Sequence, residues 1–536
     1  MRPRDPFFLR AGALFVAVFA VLLFTHLGHY ALWDDEANTG LFAKGVWHTG
    51  DTSAMMGHNI VAYRNGLELR GLHNRLIAPL SYYVDAPFSG LGGTSALAVR
   101  LPFALLGLTT FVLALYWLWR RGASRTLFVL TALGFIGNVS FILYCRQGRY
   151  YALSSLLTLL TAYFYVERDG SRRRVVGLCV SAGLLMATHY IAYAGLGVGL
   201  GVDYLLFGWR TRRYSWRAVL AVLLSQAAVA AVVVGIWYPL GKAVTGYVPQ
   251  RWWVDKLTLW AWNLRDLNLV EYVAGVVLVL APVVYFLRRR QDPMLLRIPV
   301  GIAAYAMGIA AFSPQPVGWA HLADIRYMQA TIPALIFLTA RMIDALPEGW
   351  LVPKLGLAAV LFFTNVVNVP MQRLSKHIPE QPKLQSTFLQ YLGELRHPPV
   401  NPYASAAAWV NANVAAEQSI YVVPEFAIYP LMFHAPKAVY AWQFDGASHA
   451  TYPQLPPIHF KGEALPDYFI AFGGEVAQVR GFLGRLAQSG IRYEEAASLP
   501  VAGKDMTRPE LFWRSFTQVA IVNPRTDGIY IYRRVP

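Results

Sequence analysis

Three consecutive acidic residues, Asp34, Asp35 and Glu36, directly follow the first long apolar segment of the sequence. Adjacent carboxylates at the surface of a bilayer repel one another and are costly to desolvate, so their placement needs an explanation. A functional explanation is that one carboxylate acts as a base and takes the proton of a reacting hydroxyl group. The structural alternative is that Asp34 or Asp35 caps a helix over residues 37–48, with Glu36 in its first turn. The residue pattern leaves both explanations open.

Further polar residues surround this acidic triplet. Glu68 lies later in the same loop, and two histidines, His26 and His29, flank the triplet. Together with Asp35 and Glu36 these side chains could form a mixed oxygen and nitrogen site for a divalent metal. Their spacing forms no compact ligand motif, so a divalent metal stays an open possibility and its ligands remain unknown.

Two arginines, Arg146 and Arg149, occur in a short connection between apolar segments. Basic clusters occur in every second connection between apolar segments, whereas the connection that carries Arg146 and Arg149 is one of the others. This alternation puts it on the outer side of the membrane, where basic residues are disfavoured in short loops. Such arginines either extend to the lipid interface or bind an anion, and their placement favours a phosphate group. Arg326 has two interpretations, a contact with a lipid headgroup or with a substrate phosphate. His189 and Tyr150 lie near outer helix ends, where a structural role and an aromatic belt are the simpler explanations.

The composition of the 536-residue chain identifies the kind of protein that positions these groups. Hydrophobic residues make up 56% and charged residues 14%, against roughly 45–50% and about 25% in soluble domains. With a mean hydropathy of +0.38, the chain fits neither a soluble globular protein nor a disordered one. Its two cysteines exclude a disulfide scaffold and a cysteine-rich zinc module. The composition therefore indicates a membrane protein.

The net charge of +17 has a topological explanation. Basic residues cluster between apolar segments, and every second connection carries such a cluster. Because positive loops are retained on the cytoplasmic side, this alternation places the N-terminus inside. The loops 29–96, 144–150, 240–267 and 314–326 then lie outside, with everything after residue 370. No nucleic-acid partner is expected, because the membrane topology accounts for the basic residues.

About eleven apolar segments are long enough to cross a bilayer as helices. They predict a polytopic α-helical membrane protein. Their approximate bounds are 9–28, 97–119, 126–143, 150–166, 175–189, 191–208, 217–239, 268–287, 296–313, 327–346 and 350–369.

The composition changes near residue 370, where the apolar segments end. We predict a transmembrane domain over 1–370 that contains the outer loop 29–96, a proline-rich connector over 371–402, and a soluble extracytoplasmic α/β domain over 403–536. The predicted elements of this last domain are helices at 404–414 and 476–487 and strands at 419–423, 468–472, 492–496 and 528–533.

Several short motifs follow one another along the chain in a recognisable order. They are Asp35-Glu36 before Ala37, the stretch Pro79-Leu80-Ser81-Tyr82-Tyr83, the triplet Arg100-Leu101-Pro102, the Arg-Tyr-rich segment 144–153, and Asp324-Ile325-Arg326-Tyr327 followed by Pro333. This order, over about residues 1–345, resembles that of the GT-C glycosyltransferases. The most similar branch is the bacterial one related to protein O-mannosyltransferases and aminoarabinose transferases. The resemblance implies a GT-C-like fold and the transfer of a sugar from a polyprenyl-phosphate donor to an acceptor hydroxyl on the outer face.

The resemblance also implies roles for individual residues. Asp35 would be the general base with Glu36 supporting it, and the additional acid Asp34 leaves the register of the pair open by one residue. Glu68 corresponds to a second loop carboxylate that orients the acceptor or holds a metal. Arginines would stabilise the departing phosphate, because a guanidinium group can bind phosphate oxygens bidentately. The implied phosphate-binding residues are Arg75, Arg146, Arg149 and Arg326, and the implied substrate-binding residues are Glu68, Tyr82, Tyr83, Tyr150 and His189.

Two other functions remain as alternatives: a transporter or flippase of lipid-linked saccharides, and a polymerase or ligase of lipid-linked glycans. Transporters usually contain internal repeats and polar residues at the membrane midplane. This sequence has no half-to-half repeat and few charges inside its apolar segments. We therefore predict an inverting glycosyltransferase of the bacterial inner membrane, with its N-terminus in the cytoplasm. Its partners would be a polyprenyl-phosphate sugar donor, membrane lipids, and a glycan, lipid or protein acceptor.

Overall fold

A computed structural model of the chain describes residues 5–208, 215–237, 251–270, 274–288, 291–313, 325–374, 384–398, 400–500 and 528–536. Some of the sequence features named above lie outside the described residues. These are Asp324 of the Asp-Ile-Arg-Tyr motif and parts of the predicted loops 240–267 and 314–326 and of the connector 371–402.

The described residues form two compact units. The first unit comprises 5–25 and the described residues between 103 and 393. The second unit comprises 26–102, the described residues between 394 and 500, and 528–536. The loop 29–96 and the C-terminal residues thus belong to the same unit, although they lie far apart in the sequence.

Helices dominate both units. In chain order they are α1 (Pro6–Phe24), α2 (Asp34–Thr49), α3 (Tyr63–Gly66), α4 (Leu80–Gly92), α5 (Ala96–Arg120), α6 (Arg125–Gly137), α7 (Val139–Cys145), α8 (Tyr151–Val166), α9 (Arg172–Thr188), α10 (Tyr190–Asp203), α11 (Trp216–Ile236), α12 (Trp252–Val270), α13 (Ala274–Leu287), α14 (Met294–Phe312), α15 (Ile332–Asp344), α16 (Leu351–Phe363), α17 (Asn368–Leu374), α18 (Thr387–Arg396), α19 (Pro402–Asn413), α20 (Ile428–His434) and α21 (Val476–Gln488). The strands are β1 (Met55–Met56), β2 (Asn59–Ile60), β3 (Leu69–Arg70), β4 (His73–Asn74), β5 (Ser419–Val423), β6 (Val439–Tyr440), β7 (Tyr468–Phe472), β8 (Arg492–Leu499) and β9 (Ile529–Val535).

Five helices of the described residues are long and apolar enough to cross a membrane, which makes the chain a multi-pass membrane protein. They are α1, α5, α10 with its extension to Gly208, α11 and α14. The helices α6 and α7 would together form a sixth span, but they are bent by 64° relative to each other. The expected count of about eleven spans is not confirmed, because α8, α9, α15 and α16 have only 13 to 17 residues.

Asn138 explains why the apolar segment 126–143 forms two helices instead of one. Its backbone leaves the helical conformation, with φ −81° and ψ 88°. Its side-chain oxygen accepts a hydrogen bond from the backbone N–H of Phe141 at 2.7 Å. Asparagine is among the preferred N-cap residues, so a new helix begins here despite the continuous apolar pattern.

The C-terminal residues form a five-stranded mixed sheet with the order β6-β5-β7-β9-β8. Strand β5 pairs in parallel with β6 and β7, whereas β9 pairs antiparallel with β7 and β8. Every side chain of the strand β7 is buried, as expected for an apolar strand at the centre of a sheet. The four strands and two helices expected from the sequence in this region are all present. The two-residue strand β6 was not predicted, since it is too short to produce a pattern.

One hydrophobic core joins residues of the loop 29–96 to the C-terminal residues. It contains Trp33, which precedes α2, together with Tyr82 of α4 and Phe433 of α20. The helices α2 and α4 approach each other closely at Gly90, where an added Cβ would lie 2.3 Å from the Trp47 ring. The start of α2, with its acidic triplet, is therefore positioned by residues from both parts of the sequence.

His434 is expected to make the stability of this unit dependent on pH. Its Nδ1 lies 2.9 Å from the carbonyl oxygen of Thr94, and its Nε2 accepts the Leu32 N–H at 2.9 Å. Burial lowers the pKa of His434 to about 4; the Thr94 contact opposes this effect, and the charges of Arg100 and Lys44 add to it. An unfolded histidine titrates near pH 6.5. Between about pH 6.5 and 4 the unfolded chain binds a proton that the folded chain does not, so the free energy of unfolding should fall by on the order of 2 kcal/mol.

This pH dependence can be measured by thermal unfolding of the purified protein at pH 7 and pH 4.5. The variant His434→Gln should be less stable than the wild type at pH 7, but it should lose less stability on acidification. An equal loss in both proteins would show that His434 is not the group responsible.

Candidate active site

The acidic triplet forms the first turn of α2, which begins at Asp34 after Trp33 as the N-cap residue. Negative side chains are favourable in this position because the N-terminus of a helix carries a partial positive charge. The expected helix over 37–48 therefore exists but begins earlier. The proposal that Asp34 or Asp35 provides the cap is wrong, since both residues already lie within the helix.

Glu36 forms a buried ion pair with Arg100. The side chains of Glu36 and Arg100 are 0% and 1% exposed. Arg100 Nε donates to Glu36 Oε1 at 2.9 Å, and Arg100 Nη2 donates to Glu36 Oε2 at 2.6 Å. The guanidinium also donates to the carbonyl oxygens of Leu27, Tyr30 and Ala31. Glu36 thus ties the start of α2 to α5 and to the chain segment between α1 and α2.

Asp35 keeps more contact with solvent than its two neighbours, since Asp34 and Glu36 are 5% and 0% exposed and Asp35 is half-buried. The charges of Asp34 and Asp35 act on the half-buried Tyr63. Burial raises the pKa of the Tyr63 hydroxyl, and the charges of Asp34 and Asp35 raise it further. An accessible carboxylate at this position can accept a proton, which makes Asp35 the better candidate for a base.

Tyr429 of α20 lies beside Tyr63, with the two ring centroids 5.8 Å apart. Burial raises the pKa of the Tyr429 hydroxyl, and the charges of Glu425, Asp34 and Glu68 raise it further. The pKa of this one tyrosine is therefore raised by three carboxylates, Asp34 and Glu68 of the first loop and Glu425 of the C-terminal residues. The second unit therefore gathers several carboxylates around a pair of tyrosines.

The loop that carries Tyr63 and Glu68 is fixed by hydrogen bonds. The carboxylate of Glu68 accepts from Asn74 Nδ2 at 3.1 Å. Glu425 Oε1 accepts the backbone N–H of Arg64 at 3.1 Å. These contacts hold the predicted carboxylate Glu68 and the unpredicted carboxylate Glu425 close to the triplet.

Arg75 forms an ion pair with Asp51. Its Nη1 donates to Asp51 Oδ1 and to Thr52 Oγ1, both at 2.8 Å. This hydrogen-bonded pairing lowers the pKa of Asp51 to about 2. Tyr82, the first tyrosine of the Pro-Leu-Ser-Tyr-Tyr motif, is buried against Phe42. The predicted phosphate-binding role of Arg75 stays a prediction, as does the substrate-binding role of Tyr82.

Tyr83, the second tyrosine of the Pro-Leu-Ser-Tyr-Tyr motif, is 40% exposed. Its hydroxyl donates to the carbonyl oxygen of Gly50 at 3.1 Å, next to the end of α2. The two tyrosines of the motif therefore have different surroundings, one in the core and one at the surface. Substrate binding by Tyr83 likewise remains a prediction.

Arg146, in the first unit, holds the end of α1. Its Nη1 donates to the carbonyl oxygens of Leu23 and Thr25, both at 2.8 Å. Basic groups stabilise a helix C-terminus because the last carbonyl groups lack partners within the helix. Arg146 is also 2% exposed. Its observed contacts are structural, and phosphate binding by Arg146 remains a prediction.

Arg149 and Arg326 flank a row of aromatic rings. The guanidinium of Arg149 lies 5.2 Å from the Tyr150 ring, and Tyr150 stacks on His189 with 4.2 Å between centroids. His189 is 5.4 Å from Tyr327, whose ring lies 5.5 Å from the Arg326 guanidinium. The structure therefore unites four residues that the sequence analysis named separately. We refer to Arg149, Tyr150, His189, Arg326 and Tyr327 as the arginine–aromatic cluster.

Polar contacts fix the segment that carries Arg326 against α8. Gln329 Nε2 donates to the carbonyl oxygen of Tyr151 at 3.0 Å, and its Oε1 accepts from Ser155 Oγ at 2.8 Å. Pro333 lies in the first turn of α15, as the motif predicted. Arg149 is buried and Arg326 is half-buried, and guanidinium groups shielded from water in this way can bind phosphate oxygens strongly.

The predicted site residues thus fall into an acidic group in the second unit and an arginine–aromatic cluster in the first. Within the described ranges no three His, Cys, Asp or Glu side chains are arranged to hold a metal ion. Sequence reasoning assigned no role to Arg100, although a charge inside an apolar segment is a signal of function or structure. It also missed Tyr63, Glu425 and Tyr429, for which no local pattern exists.

Comparison with solved structures identifies proteins that have a similar fold. A crystal structure of ArnT from Cupriavidus metallidurans in the apo state matches with a TM-score of 0.58 and 15% identity, over 98% of each chain. A crystal structure of the same ArnT bound to undecaprenyl phosphate matches with a TM-score of 0.56 and 15% identity, over 97% of each chain. The chain shares the fold of ArnT. This result confirms the fold that the resemblance to the aminoarabinose transferases implied, and it shows the fold alone.

The likeness to ArnT extends over almost the whole chain, including the C-terminal residues. No protein-family model matches the sequence, and no curated protein matches it significantly. The fold is therefore recognised through its three-dimensional arrangement rather than through sequence identity.

Proposed function

We propose that this chain is a membrane glycosyltransferase that transfers a sugar from a polyprenyl-phosphate donor to an acceptor hydroxyl with inversion at the anomeric carbon. The observation that carries the proposal is the arginine–aromatic cluster in a chain with the fold of ArnT, one structure of which contains undecaprenyl phosphate. A phosphate anion needs such cations, and a lipid-linked donor needs them beside a membrane domain.

In the proposed reaction Asp35 accepts the proton of the acceptor hydroxyl. The acceptor oxygen forms a bond to the anomeric carbon while the bond from that carbon to the phosphate oxygen breaks. The departing polyprenyl phosphate keeps the electron pair of the broken bond, and the guanidinium groups of Arg149 and Arg326 stabilise its charge. A single displacement of this kind inverts the configuration.

The proposed setting is the inner membrane of a bacterium, with the N-terminus in the cytoplasm and the C-terminal residues outside. The alternation of basic and non-basic loops supports this orientation. The donor lipid would remain in the bilayer, so its phosphate would lie at the level of the headgroups.

The proposal can be tested with the purified full chain in lipid vesicles supplied with a radiolabelled undecaprenyl-phosphate-linked sugar and a cell-envelope extract. We expect label in a new glycosidic product and an equal amount of released undecaprenyl phosphate. Movement of intact labelled lipid across the vesicle membrane, with no new glycosidic bond, would instead identify a flippase.

Replacing Arg149 by glutamine should raise the donor concentration needed for half-maximal transfer by about 10- to 100-fold, since a hydrogen bond to a charged group contributes about 1.5–3 kcal/mol. The control is Arg173→Gln, which removes an exposed arginine from α9. The donor dependence of initial rates measures both effects. An unchanged donor dependence in Arg149→Gln would remove Arg149 from the donor site.

A further inference from the structure

The C-terminal residues contribute two side chains to the acidic group of the first outer loop. Glu425 accepts the backbone N–H of Arg64 at 3.1 Å. Tyr429 packs its ring 5.8 Å from the ring of Tyr63. Both contacts bridge more than 350 residues of sequence, as the separation of 361 between Arg64 and Glu425 shows. All four residues belong to the second unit.

The hydroxyl group of Tyr429 is the most informative atom of this group. The Tyr429 side chain is 0% exposed, and its hydroxyl oxygen has no hydrogen-bond partner among the described residues. A buried hydroxyl without a partner costs about 1–3 kcal/mol, so such groups are uncommon in folded proteins. The charges that act on this hydroxyl are those of Asp34, Glu68 and Glu425. The unsatisfied hydroxyl therefore lies within the electrostatic influence of three carboxylates, and a molecule bound among them would complete its hydrogen bonding.

The loop beside these residues is held in an unusual backbone conformation. Arg64 and Asn65 have φ values of 48° and 60°, and the following Gly66 has φ 71°. The side chain of Asn65 exchanges hydrogen bonds with Asp445, at 2.8 Å to its carboxylate and 2.6 Å from its backbone N–H. A Cβ on Gly66 would lie 2.6 Å from the Phe444 ring. Backbone conformations of this kind persist where the surroundings impose them, and they concentrate at ligand sites.

The chemistry of the group defines the ligand it can accept. Among the described residues, the carboxylates of this group are those of Asp34, Asp35, Glu68 and Glu425, with Asp445 beside Glu425. The cations that act on Glu425 are Arg64 and Lys461, so carboxylates outnumber cations. Ionised carboxylates only accept hydrogen bonds, so they favour a ligand rich in hydroxyl donors. They also repel an anionic ligand. A saccharide without negative charge meets both conditions.

We propose that Glu425 and Tyr429 bind the acceptor, and that this acceptor is an uncharged saccharide whose hydroxyl groups donate to the carboxylates around Tyr63. The inference rests on the proposed glycosyltransferase function. It assigns to the C-terminal residues a part in choosing the acceptor, separate from donor binding and from proton transfer by Asp35.

The test uses the purified full chain, a radiolabelled undecaprenyl-phosphate-linked sugar, and a cell-envelope glycan extract divided by anion exchange into neutral and anionic fractions. Tyr429→Phe and Glu425→Gln are compared with the wild type. The glutamine retains an oxygen that can accept the Arg64 N–H, and the phenylalanine retains the ring contact with Tyr63. The matched control is Tyr493→Phe, which removes a hydroxyl that donates to the Pro466 carbonyl, away from the residues of the candidate site.

We expect the wild type to modify the neutral fraction in preference to the anionic one. Tyr429→Phe and Glu425→Gln should each need about tenfold more of the neutral fraction for half-maximal transfer, whereas hydrolysis of the donor by water stays unchanged. Tyr429→Phe should be no less thermally stable than the wild type, because it removes an unpartnered buried hydroxyl. Tyr493→Phe should keep the acceptor dependence and the donor hydrolysis of the wild type.

Wild-type acceptor dependence in both variants, or preference of the wild type for the anionic fraction, would overturn the inference. A parallel loss of transfer and donor hydrolysis would overturn it as well, because acceptor binding would then not be the affected step. If the wild type neither transfers nor hydrolyses the labelled sugar of any donor, the proposed function itself fails. Hydrolysis of the donor by the wild type thus distinguishes a failure of the acceptor inference from a failure of the proposed function.

Discussion

Replacing Asp35 by asparagine is expected to lower the rate of sugar transfer by a factor of roughly 100 to 10,000, the usual contribution of a general base. Asparagine has nearly the same size as aspartate but cannot take the proton of the acceptor hydroxyl. Asp35 is the member of the acidic triplet that keeps access to solvent, whereas Asp34 and Glu36 are buried. The effect is measured as the initial rate at saturating undecaprenyl-phosphate-linked sugar and acceptor.

The neighbouring substitution Asp34→Asn is the matched control. It removes one carboxylate from the same helical turn, but from a side chain that is only 5% exposed. This variant should retain most of the transfer rate. The reverse pattern, with activity lost in Asp34→Asn and kept in Asp35→Asn, would assign the base to Asp34. Binding of donor lipid should be the same in both variants, since neither side chain belongs to the arginine–aromatic cluster.

Breaking the buried pair between Glu36 and Arg100 should reduce the free energy of unfolding by about 3–5 kcal/mol. Arg100→Met leaves the carboxylate of Glu36 buried without its cation, and Glu36→Gln leaves the guanidinium without its anion. The variant Arg100→Met also lacks the hydrogen bonds that the guanidinium donates to the carbonyl oxygens of Leu27, Tyr30 and Ala31. Thermal and denaturant unfolding of the purified protein in detergent measure the change.

Two further variants show whether burial of the charge is the cause. The double variant Glu36→Gln with Arg100→Met removes both charges and should recover part of the lost stability, because no isolated buried charge remains. Arg480→Gln breaks the exposed pair with Glu495 and should change the free energy of unfolding by less than about 1 kcal/mol. Single variants as stable as the wild type would mean that the pair contributes little to the fold.

The membrane architecture could be predicted largely from the sequence because hydropathy is a local property. The apolar segments at 9–28, 97–119 and 296–313 correspond to α1, α5 and α14, all long enough to cross a membrane. The count of spans could not be predicted in the same way, since a single residue such as Asn138 divides an apolar segment by capping a new helix. The strands of the C-terminal sheet were also predictable, with the exception of the very short β6.

The candidate site was only partly predictable. The acidic triplet and the arginines Arg149 and Arg326 stand out in the sequence, because charges next to apolar segments are costly without a purpose. The sequence did not show that Arg149 and Arg326 share one aromatic cluster. It also gave Glu36 a supporting role in catalysis, whereas the structure pairs it with Arg100.

The sequence by itself determined that the chain crosses a membrane several times and that short strands form near its end. Each of these properties depends on residues within about 20 positions of one another, the length of one membrane span. The tertiary structure alone decided that α20 and the turn before it bring Tyr429 and Glu425 to the loop residues Tyr63 and Arg64. Contacts across such separations depend on how a whole core packs, and no local pattern of residue types encodes that packing.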